Sequence, residues 1–277
     1  MVFTPRIRRT AWLLIVLASS VAGFPQTNAQ HARVELLARQ KSVAAGSGVQ
    51  LGVYFILEKG WHIYWINPGD SGQPPSFKWH LPAGFTAGEI QWPRPERMQP
   101  SKALTDYGYH DEALLPLTVR VPPSISNRMP VEFGVEVKWL ICREVCIPER
   151  AELRLSLPVA ATASADPQHA PLFAKTMKLV PQPLPRAWKA SVTSSKDRFA
   201  LTIRAGKPIT EAEFFPLDPG QIDNPAPQNL QPSHTGATLI LKKSDQLLKP
   251  ITRLRGVLVI PGSPAYRIEA PVRQPLQ

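Results

Sequence analysis

The chain has 277 residues, with 32 Lys and Arg against 21 Asp and Glu, a net charge of +11, and 43% hydrophobic residues. The basic charge is dispersed, and no basic run interleaves with aromatics as a nucleic-acid site requires, so nucleic acid is excluded as a partner. The 31 prolines punctuate short segments, a pattern that fits an all-β protein with frequent turns.

The first segment is MVFTPRIRRTAWLLIVLASSVAGFPQTNAQ. Arg6, Arg8 and Arg9 precede an apolar run from Ala11 to Gly23 that is too short to span a bilayer, and Thr27-Asn28-Ala29 supplies small residues for cleavage. Residues 1–29 are therefore expected to be a secretory signal peptide. No later stretch is long and apolar enough to cross a membrane. The mature chain is expected to be soluble and periplasmic, where disulfides form and persist.

Strands are predicted at Val34 to Leu37 and at Val49 to Leu57, then in the aromatic stretch GWHIYWINPGDSGQPP, which runs into a Pro/Gly/Asp turn cluster. SFKWHLP, EIQWPRP and LLPLTVRVP read as further short strands. The clearest is Val131 to Ile141: Val131, Phe133, Val135, Val137, Trp139 and Ile141 share one face, while Glu132, Glu136 and Lys138 take the other. Ala151, Leu153, Leu155 and Leu157 alternate in the same way, so the two runs are predicted to pair as a hairpin. Residues 161–185 read as an Ala/Pro-rich linker, with a short helix in APLFAKTMKLV and a stiff PQPLPR segment. From residue 186 to 277, about six short strands suggest a second, smaller β-sandwich-like domain.

Both cysteines, Cys142 and Cys146, fall at the predicted hairpin tip, in KWLICREVCIPER. Residues four apart on a straight strand lie about 13 Å apart, and on a helix their Cβ atoms are ~6 Å apart, so a bridge needs a turn between them. The tip provides one, with Pro148 expected to delay the return strand. Closing so small a loop removes little unfolded-state entropy, roughly 2 kcal/mol. The spacing alone leaves both a redox pair and a local structural bridge open. Arg143 favours a thiolate and Glu144 opposes it.

GWHIYWINPGDSGQPP, QWPRPER, DYGYHDEALLPLTV and VKWLICREVCIPE, taken in order, resemble the amino-terminal periplasmic domain of the thiol:disulfide interchange protein DsbD and its ScsB-like relatives. The resemblance covers residues 33–160. The Pro-Leu-Phe segment and the second β domain are similar to the ScsB-type extension. The resemblance implies an immunoglobulin-like β-sandwich and a thiol-disulfide oxidoreductase of the protein-disulfide reductase type, with no cofactor. Cys142 and Cys146 match the redox pair, with Cys146 engaging the partner in a mixed disulfide. The implied partners are thioredoxin-fold proteins of the isomerase or reductase type, fed by a separate membrane electron transporter. The family shields its site with a loop; here Met98, Tyr107 and Tyr109 are candidate caps, and Trp61, His62, Tyr64 and Trp65 match a strand lining the site. An ordinary sandwich core explains these aromatics equally well.

Three other readings compete. Gly69-Asp70-Ser71-Gly72 resembles a trypsin-like protease signature, but only His31 and His62 precede Ser71 in the mature chain, and the bland alternative is a strand-to-loop turn. A copper or zinc site would combine the cysteines with His62, His80, His110 or Met98, although no His pair has metal-ligand spacing. His169 and His234 read as solvated loop residues. Finally, the protein would be a two-domain binding module if the cysteines were permanently bridged.

Overall fold

The computed structural model describes residues 27–126 and 129–273. The expected signal peptide lies outside the described residues as far as position 26; its last three residues form the first strand. The first half contains β1 (Thr27–Ala29), β2 (Ala32–Ala38), β3 (Gly48–Leu57), β4 (His62–Gly69), β5 (Ser76–His80), β6 (Thr86–Ala87), β7 (Glu96–Ser101), β8 (Leu104–His110), β9 (Glu112–Arg120), β10 (Val131–Cys142) and β11 (Cys146–Leu157). They build two sheets, ordered β1-β2-β3-β9-β6 and β11-β10-β4-β8-β7, with β5 also paired to β10. The sheets face each other across a shared apolar core, forming an immunoglobulin-like sandwich.

Alternation places the core residues. Val131, Phe133, Val135, Val137, Trp139 and Ile141 of β10 are all buried, as are Ala151, Leu153, Leu155 and Leu157 of β11. These strands pair residue for residue from Val131↔Leu157 to Cys142↔Cys146. Two local expectations fail. The return strand begins at Cys146, and Pro148 sits within it opposite Leu140. Because β11 is an edge strand, a residue without an N–H is tolerated where that position faces solvent. The EIQWPRP segment is not a strand: it runs irregularly between β6 and β7, where Pro93 and Pro95 cannot donate to a ladder. It is held by Gln91 N–H donating to Pro116 O (2.7 Å) and Arg94 N–H donating to Leu179 O (2.8 Å).

The helix α1 (Ala170–Met177) buries Phe173 against Leu37 and Leu114 of the first sandwich. The expected stiff linker is partly β: β12 (Gln182–Pro183) pairs parallel with the final strand. The second half continues with β13 (Lys189–Ser194), β14 (Arg198–Arg204), β15 (Glu213–Pro216), β16 (Asn229–Ser233), β17 (Gly236–Lys242), β18 (Arg253–Val259) and β19 (Tyr266–Arg273). Its sheet runs β15-β18-β19-β13-β14-β17-β16 and encloses a separate core that includes Phe199, Leu201, Phe214, Leu239, Leu254 and Ile268. Among the described residues, no helix is long and apolar enough to cross a membrane.

The two halves share buried surface. Phe215, Val257 and Ala265 belong to the first core rather than the second, and the Phe215 ring meets Tyr107 edge-on at 5.4 Å. Polar contacts flank this plug: Asn67 Nδ2 donates to Pro216 O (2.8 Å), and Arg97 pairs with Glu213. Phe215→Ala is expected to destabilise the protein by about 3–4 kcal/mol, as a cavity left by a fully buried aromatic does. Denaturant unfolding followed by fluorescence should show the midpoint falling for both halves together. A loss confined to one of two separate transitions would mean that the halves fold independently.

Candidate functional site

Strand geometry decides which side chains can surround the sulfurs. Cys142 is the Cα partner of Cys146 on one side and of His62 on the other, and His62 is in turn the partner of His110. Directly paired residues point to the same face of a sheet. The face opposite the sandwich core therefore carries Cys142, Cys146, His62 and His110, followed along the strands by Tyr64, Gly108, Asp106 and Met98.

Cys142 and Cys146 form a disulfide with their Cα atoms 4.2 Å apart. Their environments differ sharply. Cys142 is only 2% exposed, whereas Cys146 is open to solvent. At the apex, Arg143, Glu144 and Val145 are exposed, Val145 to 64%. The apex is anchored from below: the Arg143 guanidinium lies 5.2 Å from the centre of the Trp61 ring, which stacks on His31 at 3.8 Å. The Tyr64 hydroxyl lies 3.5 Å from Cys146 Sγ and is the donor there, since a disulfide sulfur carries no proton. Burial raises the Tyr64 phenol above its ordinary pKa; the Ser71 hydroxyl works against that shift and the Asp106 carboxylate adds to it.

His62 is 8% exposed, and its Nε2 has no hydrogen-bond partner among the described residues. Its ring meets Tyr64 at 5.2 Å and His110 at 5.6 Å, both edge-on. Burial, and then the neighbouring His110, push the imidazole pKa down to about 4, so it is neutral at pH 7.

The residues singled out from sequence therefore divide by face. His62, Tyr64 and Met98 share the disulfide's face. Met98 is buried over β8, where a Cβ at Gly108 would lie 2.8 Å from its terminal methyl. Trp61 supports the apex through Arg143, while Trp65 is a core residue. Tyr107 and Tyr109 point the other way, into the sandwich core. Tyr107 donates to Asn224 Oδ1 (3.1 Å) and Tyr109 to Pro93 O (2.8 Å). They do not cap the disulfide, because odd positions of β8 face inward. The same alternation puts His110, weighed above as a metal ligand beside the cysteines, on the disulfide's face. His80 pairs with Gly134, eight residues from Cys142 along β10. Among the described residues, no group of three or more His, Cys, Asp or Glu could hold a metal ion.

Residues 33–158 match the family described as thiol:disulfide interchange protein DsbD, N-terminal. The crystal structure of the N-terminal periplasmic domain of ScsB from Proteus mirabilis superposes with a TM-score of 0.68 at 18% identity, covering 90% of this chain and 97% of that one. That likeness supports the fold of both halves. The YadV chaperone aligns at a TM-score of only 0.24 and 11% identity, over 86% of this chain and 99% of that one, and carries no argument. No curated protein matches the chain significantly.

The depressed His62 pKa sets a pH dependence. Between about pH 6.5 and 4 the unfolded chain takes up a proton at this position and the folded protein does not, so stability is full above pH 6.5 and falls as pH drops through that window. The loss over the whole window is expected to reach about 3 kcal/mol. His62→Gln removes the titrating group, and urea unfolding at pH 7 and pH 4.5 should show a smaller difference in the variant. Equal differences in the two proteins would mean that His62 is not held neutral by the fold.

Proposed function

We propose that this chain, whose residues 33–158 are a DsbD-like amino-terminal domain, is an exported thiol–disulfide exchange protein working through Cys142 and Cys146. The observation that carries this reading is the asymmetry of the pair, one sulfur open at a hairpin end and the other buried beneath it. Exchange requires a thiolate to reach one sulfur in line while the other departs, so a single accessible sulfur defines the direction of attack.

Reduction proceeds in two steps. A donor thiolate attacks Cys146 Sγ, a donor–Cys146 disulfide forms, and the Cys142–Cys146 bond breaks. Its electron pair goes to Cys142 Sγ, which then takes a proton. The donor's second thiolate attacks its own sulfur in the mixed disulfide, releasing Cys146 as a thiolate. Solvent then protonates that thiolate, balancing the protons that the donor thiols gave up on ionising, so two electrons have passed from the donor dithiol to this chain, and the reverse sequence passes them to a client disulfide. The Tyr64 hydroxyl favours release of Cys146, because a hydrogen bond to a thiolate is stronger than one to a disulfide sulfur. Proteins of the thioredoxin fold, with paired thiols on an exposed surface, suit both roles, and Val145 offers them an apolar contact beside the reacting sulfur. The periplasm supplies the setting, with a separate membrane transporter as the electron source.

The test is trapping. Cys142→Ala leaves the accessible Cys146 thiol and is expected to accumulate a mixed disulfide with a thioredoxin-fold protein, read by mass spectrometry after non-reducing electrophoresis. Cys146→Ala leaves a buried thiol and should trap much less. Equal trapping would overturn the roles assigned to the two sulfurs. If the wild-type disulfide resists reduction across a glutathione series, the pair is a structural bridge.

A further inference from the structure

We propose that Asn224, in the second domain, is a positioning residue for the Cys142–Cys146 couple, acting through the Gly69–Gly72 loop and the Tyr64 ring. The inference rests on the exchange reading above, and it gives the Gly-Asp-Ser-Gly sequence a role unrelated to proteolysis.

The path is continuous. Asn224 is 5% exposed and uses both ends of its amide: Nδ2 donates to Asp70 Oδ1 (2.8 Å), and Oδ1 accepts from the Tyr107 hydroxyl (3.1 Å). Its main-chain oxygen accepts from Arg97 Nη1 (2.7 Å). Asp70 is also fixed to β8, accepting from Thr105 N–H on Oδ2 (2.7 Å) and donating its own N–H to Thr105 O (3.0 Å). Ser71 follows, donating to both carboxylate oxygens of Asp106, from its N–H (2.9 Å) and its hydroxyl (2.7 Å). Gly72, at φ +77°, then lays bare backbone on the Tyr64 ring, where a Cβ would sit 2.1 Å from Cζ. Tyr64 in turn meets Cys146 Sγ.

Asn224, Asp106 and Tyr64 are buried and Ser71 and Gly72 half-buried; Asp70 is exposed, but its carboxylate and N–H are held by hydrogen bonds to Asn224 and Thr105, so a shift of that carboxylate is passed to the loop through fixed contacts. Gly72 backs the ring and leaves the phenol little freedom of its own. The second domain thus holds the loop, the loop holds the ring, and the ring aims a hydroxyl at the reacting sulfur. Holding that hydroxyl in place favours the reduced couple, because it bonds the Cys146 thiolate better than the disulfide.

The experiment measures the equilibrium of the full-length protein with glutathione. Asn224→Asp keeps the side-chain volume but loses the donor and faces Asp70 with a like charge. It is expected to shift the equilibrium three- to tenfold toward the disulfide, where tenfold corresponds to ~30 mV for two electrons. Adding Asp70→Asn restores a donor–acceptor pair in the opposite sense and should return the equilibrium to the wild-type value. Tyr64→Phe should shift it in the same direction as Asn224→Asp, and Asn224→Asp should then add nothing in the Tyr64→Phe background. A residue that merely glued the domains would change unfolding stability and leave the exchange equilibrium alone. An unchanged equilibrium in Asn224→Asp overturns the proposal, and so do effects of Asn224→Asp and Tyr64→Phe that add independently. A wild-type pair that does not equilibrate with glutathione at all defeats the exchange reading, and this proposal with it.

Discussion

Side chains of a strand alternate between two faces, and the pairing of His62 with Cys142 decides which face of this sheet carries chemistry. From that one pair the rest follows by parity. Ile63, Trp65, Tyr107, Tyr109 and Ile141 go to the core, while Tyr64, Met98, Asp106 and His110 come to the sulfurs' side. A one-residue slip of β4 against β10 would turn β4 over, burying His62 in the sandwich and exposing Ile63 and Trp65. Register here is held by the size of the inward aromatics, so the core enforces the composition of the site.

The same inward face explains why the second half is not a simple appendage. Phe215, Val257 and Ala265 of the second half join the core that contains Tyr107, and the Phe215 ring packs edge-on against that tyrosine. Around that apolar plug lie Asn67, Asp70, Arg97 and Tyr107, each bonded to a group across the seam. Buried polar groups are costly without partners, so these contacts fix a single docking geometry as well as adding attraction.

What the sequence makes legible is what depends on near neighbours. The alternation of Val131–Ile141 and Ala151–Leu157 is a local signal, and it placed the hairpin and its cysteines correctly. The helix was readable from Ala170–Met177 for the same reason. Position in the chain points to Met98, Tyr107 and Tyr109 alike as caps, but whether Tyr107 or Met98 faces the sulfurs depends on which residue of β4 pairs with β8, a contact more than forty residues away. Pro148 and the EIQWPRP run show the converse. Proline carries opposite meanings on a paired edge strand and in an unpaired crossing, and only the neighbouring strands distinguish them. Asn224 had no signal at all: it sits beside Pro225 in a run that reads as an ordinary turn, 154 residues from the carboxylate it bonds.

The pairing of β10 with β11, unbroken over twelve residue pairs, also bears on how the two thiols find each other. Oxidising a dithiol in a flexible chain is limited by how seldom the sulfurs meet. Here twelve backbone pairs, and not the sulfur–sulfur bond alone, set the two Cα positions opposite each other, which is the arrangement that gives one thiol a high effective molarity toward the other. On the exchange reading, the readiness of the pair to close is thus a property of the whole hairpin. A substitution that frays the ladder near the Val131↔Leu157 end, some thirty-five ångströms of strand from the sulfurs by the usual rise per residue, weakens that confinement without touching either cysteine.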